Sequence, residues 1–202
     1  VQKDEKKGLY YVQKEKKRLY FRKSTPAKKI QKYYRALSME QDRRSPHHYF
    51  NSVKEVTGKV FVDVGCAEGY SSLEIIEEAK HVYLFEQDEQ WLEAIRATFE
   101  PWQDKVTIVQ KYVSDHNSSR EQTLDDFFNN QTNEHLFLKM DIEGAERHAL
   151  AGCNNLFQNC QKLDFAICTY HLRDDEEVIS AFLDKHNCTS VSYTHLRAHE
   201  TK

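Results

Sequence analysis

The residues of this 202-residue chain whose types and spacing could do chemistry are the run Asp63-x-Gly65-x-Ala67-x-Gly69, then Glu86, Asp115, the cluster Asp141, Glu143 and Glu146, and His171. An apolar run, Val60 to Val64, carries an acid and feeds a turn of small residues. That is how a nucleotide-type cofactor is gripped: Gly65 lets the backbone turn tightly, Ala67 keeps side chains out of the way, and Gly69 opens a helix expected over Tyr70 to Lys80. The cofactor then lies across that helix N-terminus. Glu86 follows a second apolar run, His81 to Phe85, roughly 20 residues after the turn, where a carboxylate accepts hydrogen bonds from both ribose hydroxyls. His171 is the side chain whose unperturbed pKa suits it to take a proton from a substrate hydroxyl near neutral pH. Together these groups describe a cofactor-dependent enzyme.

Elements that would position them are legible as apolar runs at Val60–Val64, His81–Phe85, Val106–Val109, Leu136 onward and Leu163–Cys168, separated by helical stretches. That alternation predicts an α/β fold with a parallel sheet. In an open parallel sheet ligands bind outside the carboxyl ends of the strands, where Gly65, Glu86, Asp115, Asp141 and His171 all fall. Glu143 and Glu146 would sit in the first turn of a helix around Ala145 to Leu156, complementing its dipole. Lys139, inside a buried strand, is expected to pair with Glu143 or Asp141. A dinucleotide fingerprint would need a small residue at position 70, and Tyr70 stands there, which argues against the alternative reading of an NAD(P)-dependent Rossmann oxidoreductase.

The Asp63-to-Gly69 pattern resembles motif I of the class I S-adenosylmethionine-dependent methyltransferases, with alanine for the middle glycine. Lys139-Met140-Asp141-Ile142-Glu143-Gly144-Ala145-Glu146 is similar to the signature of the FkbM-type members, and Thr123-Leu124-Asp125-Asp126-Phe127 resembles the segment that precedes it there. The resemblance covers about residues 57 to 186. It implies a Rossmann-like domain with a central, mostly parallel sheet and helices on both faces, in strand order 3-2-1-4-5-7-6 with strand 7 antiparallel. This chain is expected to be truncated before strand 7, leaving Leu163–Cys168 as an open edge. The resemblance also implies S-adenosylmethionine as cofactor and transfer of its methyl group to a hydroxyl of a sugar, glycan or related natural product. Cofactor binding then falls to Asp63 (amino-acid end), Gly65, Ala67, Gly69, Glu86 (ribose), Asp115 (adenine) and Asp141, and catalysis to Asp141, His171 and Glu143. No metal is expected, because helix geometry separates Asp141, Glu143 and Glu146 as oxygen ligands.

Composition fits one soluble domain: 39% of residues are hydrophobic, and no apolar run approaches the roughly 18 residues a membrane span needs. Five cysteines, without a C-x-x-C pair, read as reduced thiols in a cytoplasmic protein, and no signal peptide is visible. The net charge of −3 hides an asymmetry, since residues 1 to 35 hold 13 Lys and Arg against 3 acids. Residues 1–50 read as a basic extension: a β-hairpin turning near Lys14 to Lys17, then a helix from Thr25 to Glu40 capped by Ser24 or Thr25. Interleaved lysines and aromatics can bind nucleic acid, but a two-stranded ribbon must pack its aromatic face on something, so docking on the domain is favoured and no nucleic-acid partner is expected. His47 and His48 are placed at the border of the substrate pocket. Residues 51–190 form the catalytic domain. Residues 191–202 resemble a translated sequencing adapter, and the tail, with His195 and His199, is set aside as non-native. A non-catalytic cofactor- or nucleic-acid-binding protein is the remaining alternative. The acceptor and the oligomeric state are not legible in these residues.

Overall fold

The computed structural model describes residues 1–129, 134–160, 162–189, 191–192 and 195–198, the last two segments by their backbone. The chain opens with three antiparallel strands, β1 (Gln2–Asp4), β2 (Leu9–Lys14) and β3 (Lys17–Tyr20). The expected hairpin is β2–β3, with Glu15 at φ 55° in its turn. Strand β1, which folds back on Leu9–Tyr11, is an addition to the expected pair. Leu9, Tyr11, Leu19, Tyr20 and Phe21 are buried in one cluster with Phe61, Leu73 and Ile95 of the main domain. Tyr20 N donates to Thr98 Oγ1 (3.0 Å), Lys17 Nζ donates to the Leu73 carbonyl (2.8 Å), and the Lys14 ammonium lies 3.8 Å from the centre of the Tyr70 ring. The ribbon is thus a docked one, its aromatic face spent on packing. Helix α1 (Ala27–Glu40) starts later than expected: Pro26 is its N-cap, and neither Ser24 nor Thr25 caps it by a side chain. Ile30 is the one residue of α1 that is buried.

The main domain alternates β4 (Val60–Val64), α2 (Tyr70–Ile75), β5 (His81–Phe85), α3 (Glu89–Phe99) and β6 (Val106–Val109). After a two-stranded ladder of β7 (Tyr112–Val113) and β8 (Glu121–Gln122) come α4 (Leu124–Phe127), β9 (Leu136–Met140), α5 (Glu146–Ala151), α6 (Asn154–Asn159), β10 (Leu163–Cys168) and α7 (Asp175–Lys185). Strands β6, β5, β4, β9 and β10 are parallel neighbours in that order. Every residue of β4, β9 and β10 is buried, as expected of parallel strands covered on both faces. The pleat divides the core in two: Phe61 and Phe137 pack with α2, α3 and the ribbon, while Val60, Val62, Leu138 and Phe165 pack with Leu150, Phe157, Ile179 and Leu183 of the opposite helices.

The single helix expected around Ala145 to Leu156 is two, α5 and α6, broken at Gly152. A Cβ at Gly152 would sit 2.1 Å from the Ser114 carbonyl oxygen, so the backbone there is pinned against the β7 loop. The Thr-Leu-Asp-Asp-Phe segment is a capping device. Thr123 Oγ1 accepts from Asp126 N at the start of α4 (3.2 Å), and Asp125 accepts from Leu156 N (2.7 Å) and Asn155 N (3.0 Å) at the start of α6.

The open edge expected at β10 is not open. Strand β12 (His195–Ala198) pairs antiparallel with Phe165–Cys168, and β11 (Val191–Ser192) pairs antiparallel with β12. Among the described residues the sheet therefore has seven strands, with an antiparallel neighbour beside β10, where an open edge with no seventh strand was expected. The physical reason is that an edge strand presents unpaired N–H and C=O groups that any extended backbone can satisfy, whatever its side chains. Tyr193, His199 and Glu200 lie outside the described residues.

Candidate active site

Three residues of the turn after β4 have positive φ: Gly65 (78°), Ala67 (46°) and Gly69 (81°). Only glycine fits at 65, where a Cβ would lie 2.1 Å from the Asp141 carbonyl oxygen; β4 and β9 approach this closely at their carboxyl ends. At Gly69, the N-cap of α2, a Cβ would lie 2.7 Å from the Phe99 ring. The turn is held from beneath by Lys139. Its ammonium lies 2.9 Å from Asp63 Oδ1 and donates to the Gly65 carbonyl (3.0 Å). Lys139 thus pairs with Asp63, not with Glu143 or Asp141, because β4 and β9 register Asp63 directly opposite Lys139. Burial works against the charge on Lys139, but Asp63 and then Asp141 outweigh it and hold its pKa above the ordinary lysine value. Ser72 Oγ donates to the other Asp63 oxygen (2.6 Å).

Above the turn lies a cavity of about 790 Å³, lined by Gly65, Cys66, Ala67, Glu68, Ser71, Glu86, Asp141, Glu143 and His171 among others. Glu86 is where the sequence places it. Its Oε2 accepts from Ala67 N (3.0 Å) and its Oε1 from Asp88 N (2.8 Å), and burial raises its pKa against these hydrogen bonds. Each oxygen keeps a lone pair for a ligand hydroxyl. Asp63 and Asp115 do not reach the cavity. Asp63 is sealed under the turn at 1% exposure, and Asp115 stands outside, 2.7 Å from His116 Nδ1. His47 packs edge-on to the Tyr170 ring, which does line the cavity.

At the other end of the cavity β9 and β10 deliver Asp141 and His171. Glu146 is fully buried, and its oxygens accept from Ile142 N (2.8 Å) and Gly144 N (3.0 Å), fixing the loop that leaves β9. Glu146 Oε1 also lies 3.0 Å from His171 Nδ1. An ionised carboxylate can only accept, so Nδ1 of a neutral His171 carries the proton and Nε2 is left as a bare acceptor. Nε2 faces Asp141 Oδ1 at 3.5 Å and Glu143 Oε2 at 3.8 Å. Burial raises the Asp141 pKa, but Lys139 foremost, then Tyr49 and His171, bring it below the ordinary value. Glu143 is 93% exposed at its side chain and adopts φ 56°, a strained conformation for a non-glycine residue at the cavity rim. Asp141, Glu146 and His171 each offer an atom within 4.8 Å of the others. The oxygens of Glu146 are committed to backbone N–H groups and the imidazole, which makes it an orienting partner of His171.

Sequence reasoning missed the wall contributed by the N-terminal segment. Arg22, Tyr33, Leu37, Glu40 and Tyr49 line the same cavity. Tyr49 is buried and donates its hydroxyl proton to Asp141. Tyr33 donates to Glu68 Oε2 (2.9 Å). Glu68 was in view, inside the small-residue turn, but nothing in a run of alternating small residues marks the intervening side chain as facing a cavity.

The parallel sheet, the turn over its first strand and a cavity across its carboxyl rim define a class I methyltransferase domain. The model of the Methyltransferase FkbM domain family matches residues 34–163, more than half of the chain, and the chain belongs to that family. Its cofactor is S-adenosylmethionine. The residues fit that group: a turn open to close approach, a buried-rim carboxylate with lone pairs to spare, and a cavity of sufficient size. Solved structures with similar folds include an rRNA methylase from Streptococcus thermophilus, 10% identical, covering 74% of this chain and 92% of that one with a TM-score of 0.50. Another is a putative methyltransferase from Streptococcus mutans in complex with S-adenosylhomocysteine (14% identity, 72% and 90% covered, TM-score 0.49). A third is the N-methyltransferase NodS from Bradyrhizobium japonicum, also with S-adenosylhomocysteine (10% identity, 89% and 90% covered, TM-score 0.49). At these identities the likeness is one of fold. No curated protein matches the chain.

Proposed function

We propose that the protein methylates a hydroxyl group, of a sugar, glycan or related natural product, and that His171 is the base. The observation that carries this reading is the chain of contacts Glu146–His171–Asp141 at the cavity rim. Glu146 fixes the proton on Nδ1, so Nε2 is aimed as an acceptor beside a second acceptor, Asp141 Oδ1, 3.5 Å away. Two acceptors facing one another have no proton to share. A hydroxyl entering between them supplies one, is held by it, and gives it up to Nε2 as its oxygen becomes the nucleophile. The bound cofactor supplies a methyl carbon made electrophilic by the adjacent sulfonium. Glu86 holds the ribose, the Gly65–Gly69 turn admits the backbone of the ligand closely, and Asp141, kept ionised by Lys139, stabilises positive charge at the reacting end. Most of the catalysis is positioning. Sugar and natural-product acceptors are favoured by family membership, the hydroxyl by His171. The test is a panel of hydroxyl, amine and RNA acceptors incubated with radiolabelled cofactor. Label carried only by amines or RNA would sink the reading.

Glu86→Ala is expected to weaken S-adenosylhomocysteine binding by about 1 to 3 kcal/mol, the cost of leaving ligand hydroxyls unpaired in a buried site. Titration calorimetry reads it, and unchanged affinity in a folded variant would remove Glu86 from the ribose site.

Residues 51–190 are proposed as the catalytic domain, 1–50 as an extension that walls its cavity, and 191–202 as a foreign tail. Deleting 191–202 is expected to leave S-adenosylhomocysteine affinity unchanged, since no described cavity residue comes from it, while uncovering the β10 edge raises the rate of aggregation. A fall in affinity on deletion would make the tail part of the site. The five cysteines are buried and free, which favours a reducing compartment such as the cytoplasm. Among the described residues no helix is long and apolar enough to cross a membrane.

A further inference from the structure

The cofactor brings an α-ammonium group into the cavity, and the acid expected to receive it, Asp63, is sealed beneath the turn by Lys139 and Ser72. The other acids lining the cavity are largely committed elsewhere. Glu86 is spent on backbone N–H groups with lone pairs toward the ribose, Asp88 lies 3.3 Å from Arg22 Nη1, Asp141 is engaged by Tyr49 and lies near Lys139, and Glu143 stands in solvent. Glu40 lies at the C-terminal end of α1, and Asp141 and Glu143 act on its charge, which places it toward the acceptor end.

Glu68 differs from all of these. It sits on the turn itself, between Ala67, whose N–H is bound by Glu86, and Gly69, the N-cap of α2. It is 4% exposed, lines the cavity, and accepts a hydrogen bond from a neutral phenol, Tyr33, at 2.9 Å. Among the described residues no lysine or arginine lies within ion-pair distance of it. A carboxylate buried without a cation is costly to the protein, and groups of this kind gather at ligand sites. Burial accordingly pushes its pKa up to about 7. A cationic ligand group arriving beside Glu68 restores the missing partner.

We propose that Glu68, steadied by Tyr33 of helix α1, is the anionic seat for the α-ammonium group of S-adenosylmethionine. The inference rests on the cofactor assignment and goes beyond it by giving the N-terminal segment a part in binding. A charge-assisted hydrogen bond of this kind carries specificity for the amine as well as affinity.

The test uses titration calorimetry of the full chain with two probes, S-adenosylhomocysteine and its analogue lacking the α-amino group. The wild-type protein is expected to bind the amine-free analogue about tenfold more weakly or worse. Glu68→Gln, close to isosteric and still able to accept from Tyr33, is expected to lose about tenfold for S-adenosylhomocysteine while its affinity for the amine-free analogue stays within about twofold of wild type. Tyr33→Phe is expected to weaken S-adenosylhomocysteine binding by a smaller factor than Glu68→Gln while again sparing the amine-free analogue, and serves if the glutamine variant folds poorly. Equal affinity of Glu68→Gln and wild type for S-adenosylhomocysteine overturns the proposal, as does an equal loss for both probes. A wild-type protein that binds neither probe overturns the cofactor assignment and the proposal with it.

Discussion

Replacing His171 with alanine is expected to lower methyl transfer by about 10² to 10⁴-fold while leaving S-adenosylhomocysteine affinity within about threefold of wild type. The size follows from what the imidazole does. Among the described residues lining the cavity it is the one imidazole; on the proposed reading it offers Nε2 to the hydroxyl, and its orientation is set by Glu146 at 3.0 Å. Removing it leaves the hydroxyl to be deprotonated by solvent or by Asp141, whose pKa is held low by Lys139 and whose basicity is correspondingly weak. Cofactor binding should hardly notice, since the turn and Glu86 are untouched. Single-turnover transfer to the best acceptor from the panel, beside titration calorimetry, separates the two effects. Parallel losses in transfer and in cofactor affinity would make His171 a binding group and would leave the proposed chemistry without its base.

Asp63→Ala is expected to destabilise the fold by about 3 kcal/mol or more, although Asp63 does not line the cavity. The substitution leaves the Lys139 ammonium, 6% exposed at its side chain, without its nearest counter-charge, and Ser72 without its acceptor. Breaking a buried pair from one side is worse than deleting it, so Asp63→Asn combined with Lys139→Met is expected to recover a large part of the loss. Urea unfolding of the single and double variants measures this. A single variant as stable as wild type would mean that Asp141 and the Gly65 carbonyl alone suffice to hold the lysine. The variant should also loosen the turn, because the same ammonium donates to the Gly65 carbonyl.

The strands were legible because each is a short apolar run; Val60–Val64, His81–Phe85, Val106–Val109 and Leu163–Cys168 have the expected bounds, and the central ones are buried on both faces. Register was not legible. Lys139 and Asp63 belong to motifs that lie far apart in the chain, and only the alignment of β4 with β9 shows them as partners. The same limit hid the N-terminal wall, since Tyr33 and Tyr49 acquire meaning only when α1 and the following loop come to lie against Glu68 and Asp141. Glu146 looked like a dipole-complementing acid at a helix start; its contact with His171 depends on β10 ending beside the loop from β9. Strand β1 was missed because Gln-Lys-Asp carries no apolar pattern, and its pairing comes from backbone alone. The pairing of 195–198 with β10 was missed on the same ground, for the tail's sequence gave no reason to extend a sheet that its backbone nevertheless extends.

The division of the cavity between the two ends of the chain fixes an order of events during synthesis. The ribbon leaves the ribosome before groups that help bury its aromatic face, since Leu73, Ile95 and Thr98 follow after about 50 residues or more of further chain. Tyr49 likewise waits for Asp141, and His171 for β10 to be laid beside β9. Because the turn itself is held by Lys139 of β9, neither the cofactor turn nor the proposed reacting end is complete until β9 has been made, and His171 must wait further for β10.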